Sequence, residues 1–206
     1  KTLKTDNPVT VHFFDDNVVN AFATLGGNII IYRGILEKLP SENALAMVMS
    51  HEIAHIKLRH PIMALGRGVV IGLAISAITG ASGQGLTNEI LGDAGLLTIL
   101  KFGRDQEIEA DKIGLAAVAK VYGHTNGTTD LFDMFKQLSK GDQQLPQFLS
   151  SHPQNESRIK YIKQFSIDKN LTTRGKILLM PKIIRKYLES TSPPEPPATS
   201  KEKEKN

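Results

Sequence analysis

His51-Glu52-Ile53-Ala54-His55 sets two imidazoles and a carboxylate at a spacing that suits a metal ion. Two histidines four positions apart on a helix share one face, with Cβ atoms about 6 Å apart, so both rings reach one cation at about 2.0–2.1 Å. Glu52 is turned about 100° around the same helix, onto the open side of the metal, where a carboxylate can accept a proton from water. The chemistry this implies is zinc-assisted peptide hydrolysis, with one Zn2+ per chain and Glu52 as general base. The 206 residues contain no cysteine, which excludes thiolate zinc sites, disulfides and cysteine nucleophiles. Every metal ligand must therefore be His, Asp or Glu.

A zinc centre of this kind needs a third protein ligand and keeps a fourth position for water or substrate. The pattern HExxHxxGxxH would place Gly at 58 and His at 61, but the chain has Leu58 and Pro61, with His60 one residue out of register. The third ligand must come from another element. The spacing predicts a helix over Arg104–Tyr122, ended by Gly123. On its wheel Ala110, Gly114, Leu115, Val118 and Val121 fall within about 80° of Glu107, while Asp105, Glu109, Lys112 and Lys120 lie opposite. Asp111 is about 40° from Glu107 on the same wheel. Two carboxylates in an apolar stripe are costly unless neutralised. Zinc would neutralise Glu107, and the ring N–H of a metal-bound histidine would satisfy Asp111. A buried ion pair, or an acid favoured by the helix N-terminus, is the alternative that the pattern leaves open.

The elements that must hold these residues read as an α+β domain, mostly helical, of zincin type. Val9–Asp15, Val18–Thr24 and Asn28–Ile31 are rich in Val, Ile and Phe and predict a small antiparallel sheet on the N-terminal side, with Gly26 and Gly27 in a tight turn. Ser41 is the expected N-cap of a buried central helix that carries HExxH and runs to Pro61. Leu45, Met49, Ile53 and Ile56 lie opposite its histidines. The apolar run Val69–Ala81, within the uncharged stretch from Gly68 to Asn88, spans roughly 20 Å as helix. That is too short for a bilayer core of about 30 Å, and it reads as a Gly-interrupted hairpin or lid near the site. Further helices are expected over Thr129–Ser139 and Glu156–Phe165, with a peripheral one over Leu171–Tyr187 interrupted at Pro181. Residues 1–190 read as the zinc metallopeptidase domain and 191–206 as a disordered tail rich in Pro, Lys and Glu.

HEIAH at 51–55, EIEAD at 107–111, NAFATLGGNIIIYRGIL from Asn20 to Leu36, and SHPQNESRI from Ser151 to Ile159 together carry a resemblance. The chain resembles the membrane-associated gluzincin metallopeptidases, the family of the HtpX heat-shock protease, the CAAX prenyl protease and BepA, over roughly Val9–Phe165. The resemblance implies that Glu107 is the third zinc ligand and that His152 and Arg158 lie close to the metal. His152 would then be an inhibitory fourth ligand, or His152 or Arg158 would stabilise the oxyanion as catalytic groups. Without the resemblance, a His before Pro153 is a turn residue. His12, His60 and His124 read as surface or structural residues.

The formal charge of +4 is spread among interspersed acids and bases and an alternating KEKEKN terminus, which argues against nucleic acid as a partner. Polypeptides are the expected substrates, in particular misfolded or misassembled envelope proteins, with the Asn20–Thr24 strand as the edge on which an extended substrate pairs. The chain opens on Lys1 with no charged-then-apolar leader, which reads as a mature or excised fragment. Membrane proximity is expected through an upstream N-terminal anchor or through the apolar 69–81 segment, on the soluble or peripherally attached branch of the family. The expected location is a bacterial periplasm, with the mitochondrial intermembrane space as the alternative. A zinc-gated chaperone with little proteolysis and a metal-free helical domain are the rival readings.

Overall fold

Three short strands, rich in β-branched and aromatic residues, open the structure: β1 (Thr10–Phe14), β2 (Ala21–Thr24) and β3 (Asn28–Tyr32). This computed structural model describes residues 3–6, 8–79, 101–138, 146–153 and 156–191. The strand order is β1-β3-β2. β2 and β3 form an antiparallel hairpin that pairs Ala21 with Ile31 and Thr24 with Asn28. Gly26 and Gly27, at φ 75° and 81°, supply its turn, a left-handed geometry that glycine adopts without steric cost. β1 runs parallel to β3, so the sheet is mixed rather than antiparallel throughout. No two-residue turn joins β1 to β2. Residues 15–20 carry the chain back across the width of one strand, and β3, returning from the hairpin, fills the gap in the direction of β1.

After α1 (Arg33–Lys38), the central helix α2 spans Glu42–Lys57. Ser41 Oγ accepts from Ala44 N–H at 3.1 Å, which satisfies one of the donors left free at a helix start. The histidine side of α2 is its most buried face, and Leu45, Met49, Ile53 and Ile56 are half-buried. The helix stops before Pro61. Leu58 and Arg59 turn their N–H groups back to Ala54 O and Ile56 O, and Arg59 takes φ 59°. Pro61 instead sits in the first turn of α3 (His60–Thr79), where a missing N–H costs nothing.

The hairpin or lid expected at residues 69–81 is replaced by helix as far as Thr79. Isolated glycines cost a helix only about 1 kcal/mol each, and the aliphatic residues between them sustain it. The remainder of that apolar stretch lies outside the described residues. Ile62, Val69, Val70, Ile71 and Leu73 are exposed on α3. Among the described residues, no helix is long and apolar enough to cross a membrane.

The second helix of the site, α4 (Arg104–Tyr122), is ended by Gly123 in the left-handed conformation. It is followed by α5 (Asp130–Leu138), the single turn α6 (Phe148–Ser151) and α7 (Glu156–Asp168). The peripheral helix expected from Leu171 is irregular chain up to Pro181, and α8 covers only Lys182–Thr191. The physical reason lies at the start of α2. Leu178 O accepts from Glu42 N–H at 2.9 Å, and Leu178 N–H donates to Asn43 Oδ1 at 2.8 Å. The strap thus supplies partners that a helix at that place could not. The tail expected to be disordered lies outside the described residues from 192 onward.

α2 packs most extensively on α4, and Gly114 permits the close crossing. A Cβ on Gly114 would sit 3.1 Å from His51 N. Asp111 and Glu107 stand one and two turns before this point on α4, so the crossing carries both carboxylates to the histidines of α2. Ile35, Met47, Val48, Leu115, Phe132 and Phe135 form part of the apolar core behind it.

Candidate metal centre

Ligand atoms of His51, His55, Glu107 and His152 lie within 4.8 Å of one another, and all four residues are buried. His51 Nε2 and His55 Nε2 are 2.9 Å apart. Glu107 Oε1 is 3.4 Å from His55 Nε2, and Glu107 Oε2 is 3.5 Å from His51 Nε2. His152 Nδ1 lies 3.0 Å from Glu107 Oε1 and 3.3 Å from His51 Nε2. A tetrahedron with arms of about 2.0–2.1 Å has edges of about 3.3 Å, so these separations suit a single cation. Two or three nitrogens and one carboxylate oxygen, without sulfur, form a donor set that zinc accepts.

Two further buried atoms point to a missing partner. Glu52 Oε1 and His152 Nε2 make no hydrogen bond among the described residues and face each other at 3.4 Å. Unsatisfied polar atoms in an interior cost roughly 1–3 kcal/mol each, and a ligand between these two would satisfy both. Glu52 is fully buried, and its other oxygen accepts from Ala23 N–H of β2 at 2.7 Å. Burial pushes the Glu52 carboxyl above the usual carboxylate range, against the lowering influence of His152 and His51.

The carboxylates expected on α4 are both brought to the histidines. Asp111 Oδ1 is 2.9 Å from His51 Nδ1. Arg158 of α7 forks onto Asp111, with Nε and Nη2 each at 2.8 Å from one carboxylate oxygen. Its Nη1 lies 2.7 Å from Glu107 Oε2. Burial raises the pKa values of Glu107 and Asp111, but His152, Arg158 and His51 at Glu107, and Arg158 and His51 at Asp111, more than offset it and leave both lowered. At His51, burial is outweighed by Glu107 and Asp111, which lift it to about 10 without metal. Among the described residues His55 has no such anionic partner on its outer nitrogen, and burial holds its pKa well below the usual range. The whole guanidinium of Arg158 is thus engaged with protein carboxylates.

His152 closes the single turn α6, its N–H bonded to Phe148 O at 2.9 Å. Pro153 disfavours helix for the residue before it, and His152 takes φ −120°, ψ 78°, which aims its ring into the cluster. Phe148 stacks on that ring at 4.5 Å, and Phe102 stacks on His55 at 4.0 Å. The same turn packs against β2, and Phe148 N–H donates to Val19 O, two residues before the strand, at 3.2 Å. β2 is the sheet edge beside the site, and in this arrangement one of its N–H groups, that of Ala23, is taken by Glu52.

Three residues that the sequence reading left aside also meet the site. Phe102 and Phe148 carried no spacing signal. His60, which reads from sequence as a surface or structural residue, is buried, and its Nδ1 is 2.8 Å from His55 Nδ1. His12 is exposed on β1 and contacts Asn28. His124 is buried away from the cluster, its Nδ1 accepting from Asn126 N–H.

A helix bearing two imidazoles and a buried glutamate, crossed by a second helix that adds a carboxylate beside a sheet edge, defines the metallopeptidase class marked by HExxH. Residues 2–166 match the model of Peptidase family M48, and the chain belongs to that family. It is 32% identical over 159 residues to the mitochondrial metalloendopeptidase OMA1 of Schizosaccharomyces pombe, an alignment covering 75% of this chain and 46% of that protein. It is 29% identical to a putative beta-barrel assembly-enhancing protease of Vibrio cholerae, over 74% of this chain and 33% of the relative. A similar 29% identity links it to the metalloprotease YcaL of Escherichia coli, over 76% of this chain and 61% of the relative. The chain therefore spans a third to about three fifths of the length of these relatives. The family implies a catalytic metal, and His51, His55 and Glu107 are a group able to bind it.

Proposed function

We propose that the chain is a zinc-dependent endopeptidase in which His51, His55 and Glu107 hold the metal and Glu52 is the general base. The observation that carries this reading is the convergence of three ligand side chains from two helices on one ion-sized space, with an unsatisfied Glu52 oxygen beside it. When bound, the metal supplies Lewis acidity toward a peptide carbonyl and lowers the pKa of a water toward 7. Glu52 takes the proton of the attacking water and returns it to the leaving amine. A carboxyl raised by burial is the better proton acceptor near neutral pH. Asp111 orients His51 through Nδ1, and Arg158 fixes Asp111 and Glu107 in turn. Arg158 accordingly serves as a positioning residue rather than as an oxyanion donor.

His152 is proposed as an inhibitory fourth ligand. Its Nδ1 sits among the ligand atoms at 3.0–3.3 Å from two of them, a place that water or substrate must take during turnover. The turn that carries it also packs against β2, so withdrawal of this turn would free the ligand position and open the approach to that strand. His152→Ala is expected to raise the rate of casein cleavage at unchanged metal content. A fall of about 10²–10³-fold would instead make His152 an oxyanion stabiliser.

Substrates are proposed to be unfolded or misassembled proteins of a membrane-bounded compartment, recognised by backbone pairing along β2. The proposed compartment is a bacterial periplasm first and the mitochondrial intermembrane space second; the names of the relatives, which include a beta-barrel assembly-enhancing protease and a mitochondrial metalloendopeptidase, support association with an envelope or membrane. The exposed aliphatic side chains of α3 support peripheral contact with a membrane. The test of the whole reading is elemental analysis with casein cleavage. One equivalent of zinc is expected, with activity lost on chelation and restored by zinc; a chain that cleaves casein equally well after its metal is stripped would overturn the reading.

A further inference from the structure

The two imidazoles proposed as ligands are supported differently on their outer nitrogens. His51 Nδ1 faces a carboxylate, Asp111, at 2.9 Å. His55 Nδ1 faces another imidazole, His60 Nδ1, at 2.8 Å. That contact is fully buried, and the two rings stand edge to face with centroids 4.9 Å apart. A neutral imidazole carries one proton and one lone pair. His55 presents Nε2 to the cluster, at 2.9 Å from His51 Nε2 and 3.4 Å from Glu107 Oε1. If Nε2 provides the lone pair, the proton of His55 is on Nδ1 and needs an acceptor.

Resting on the metal-centre reading above, we infer that His60 is a positioning residue whose Nδ1 accepts the Nδ1–H of His55 and holds that imidazole with Nε2 toward the metal. The assignment fixes the second tautomer as well. With its Nδ1 lone pair engaged, His60 carries its own proton on Nε2, which points toward Glu109 Oε2 at 4.0 Å. Glu109 is more than half exposed, so it lends the second ring a carboxylate neighbour without burying a charge. Phe102 closes the other side, with ring centroids 4.0 Å from His55 and 5.9 Å from His60. Water is thereby kept from competing for the His55 proton. The fold provides this pair through the break after α2. Arg59 at φ 59° reverses the chain and swings His60 back over His55.

Outer partners of metal-bound histidines typically alter metal affinity by about 10–100-fold when removed. Zinc affinity by chelator competition is therefore expected to fall by about that factor in His60→Leu. His60→Asn places an amide oxygen where Nδ1 stands and is expected to restore most of the loss. Thermal unfolding of the metal-free variants reports whether each folds. Long-range proton–nitrogen correlation spectra of the zinc-loaded parent chain give a second reading that needs no variant. They should show His55 protonated on Nδ1 and His60 on Nε2. Equal zinc affinity in parent and His60→Leu overturns the assignment, as does an Asn variant no better than Leu or a His60 proton on Nδ1. A parent chain that takes up no zinc overturns the metal-centre reading itself, and this assignment with it.

Discussion

Glu52→Gln is expected to lower casein cleavage by about 10²–10⁴-fold while leaving zinc content at the parent level. The substitution is nearly isosteric, and its amide oxygen can still accept from Ala23 N–H, the contact that Glu52 Oε2 makes at 2.7 Å. The three ligand side chains are untouched, so fold and metal site are retained. What disappears is the proton acceptor at Oε1, the atom without a hydrogen bond that faces the cluster. Cleavage rate and zinc stoichiometry measured on the same preparation separate this from misfolding, in which both would fall. Retained client binding by the inactive variant fits a peptidase that still engages its substrate. A variant whose principal activity survives is a metal-gated binding module, and the general-base role would be discarded.

How much of this was legible beforehand depended on whether the signal was periodic. His51 and His55 are four residues apart on an unbroken helix, so their common face follows from 100° per residue alone. Glu107 and Asp111 were legible for a related reason, as charges standing in the apolar stripe of α4. The arrangement of the sheet was only partly legible, because the Gly26-Gly27 turn specifies the β2–β3 hairpin but nothing local says where β1 will pair. His60 shows the opposite limit. On an uninterrupted helix it would stand about 140° from His55, facing away from the site. The reading of α2 as helix up to Pro61 therefore concealed it. The left-handed Arg59 has no propensity signal, since a non-glycine residue enters that region only where its surroundings compensate. Likewise Phe102 and Phe148 flank the imidazoles through tertiary packing that no spacing encodes.

Arg158 provides the largest expected effect on stability, and the same substitution decides whether it positions or catalyses. Its guanidinium is buried, forks onto Asp111 at 2.8 Å through two nitrogens and approaches Glu107 at 2.7 Å. Removing one member of a buried ion pair strands the other, at a cost of about 3–5 kcal/mol. Arg158→Leu is accordingly expected to lower the Tm of the metal-free chain by about 10 °C. Arg158→Lys keeps a charge but not the planar fork, and should fall between parent and Leu. The double variant Arg158→Leu with Asp111→Asn should recover part of the loss, because no carboxylate is then left unpaired at position 111; the surplus over additivity measures the coupling of the pair. An oxyanion donor would behave differently: its removal would leave the Tm of the metal-free chain in place and lower only the rate of cleavage. A Tm unchanged in Arg158→Leu would therefore transfer Arg158 from the support of the ligands to the chemistry itself, and Asp111 would have to be held on α4 by His51 alone.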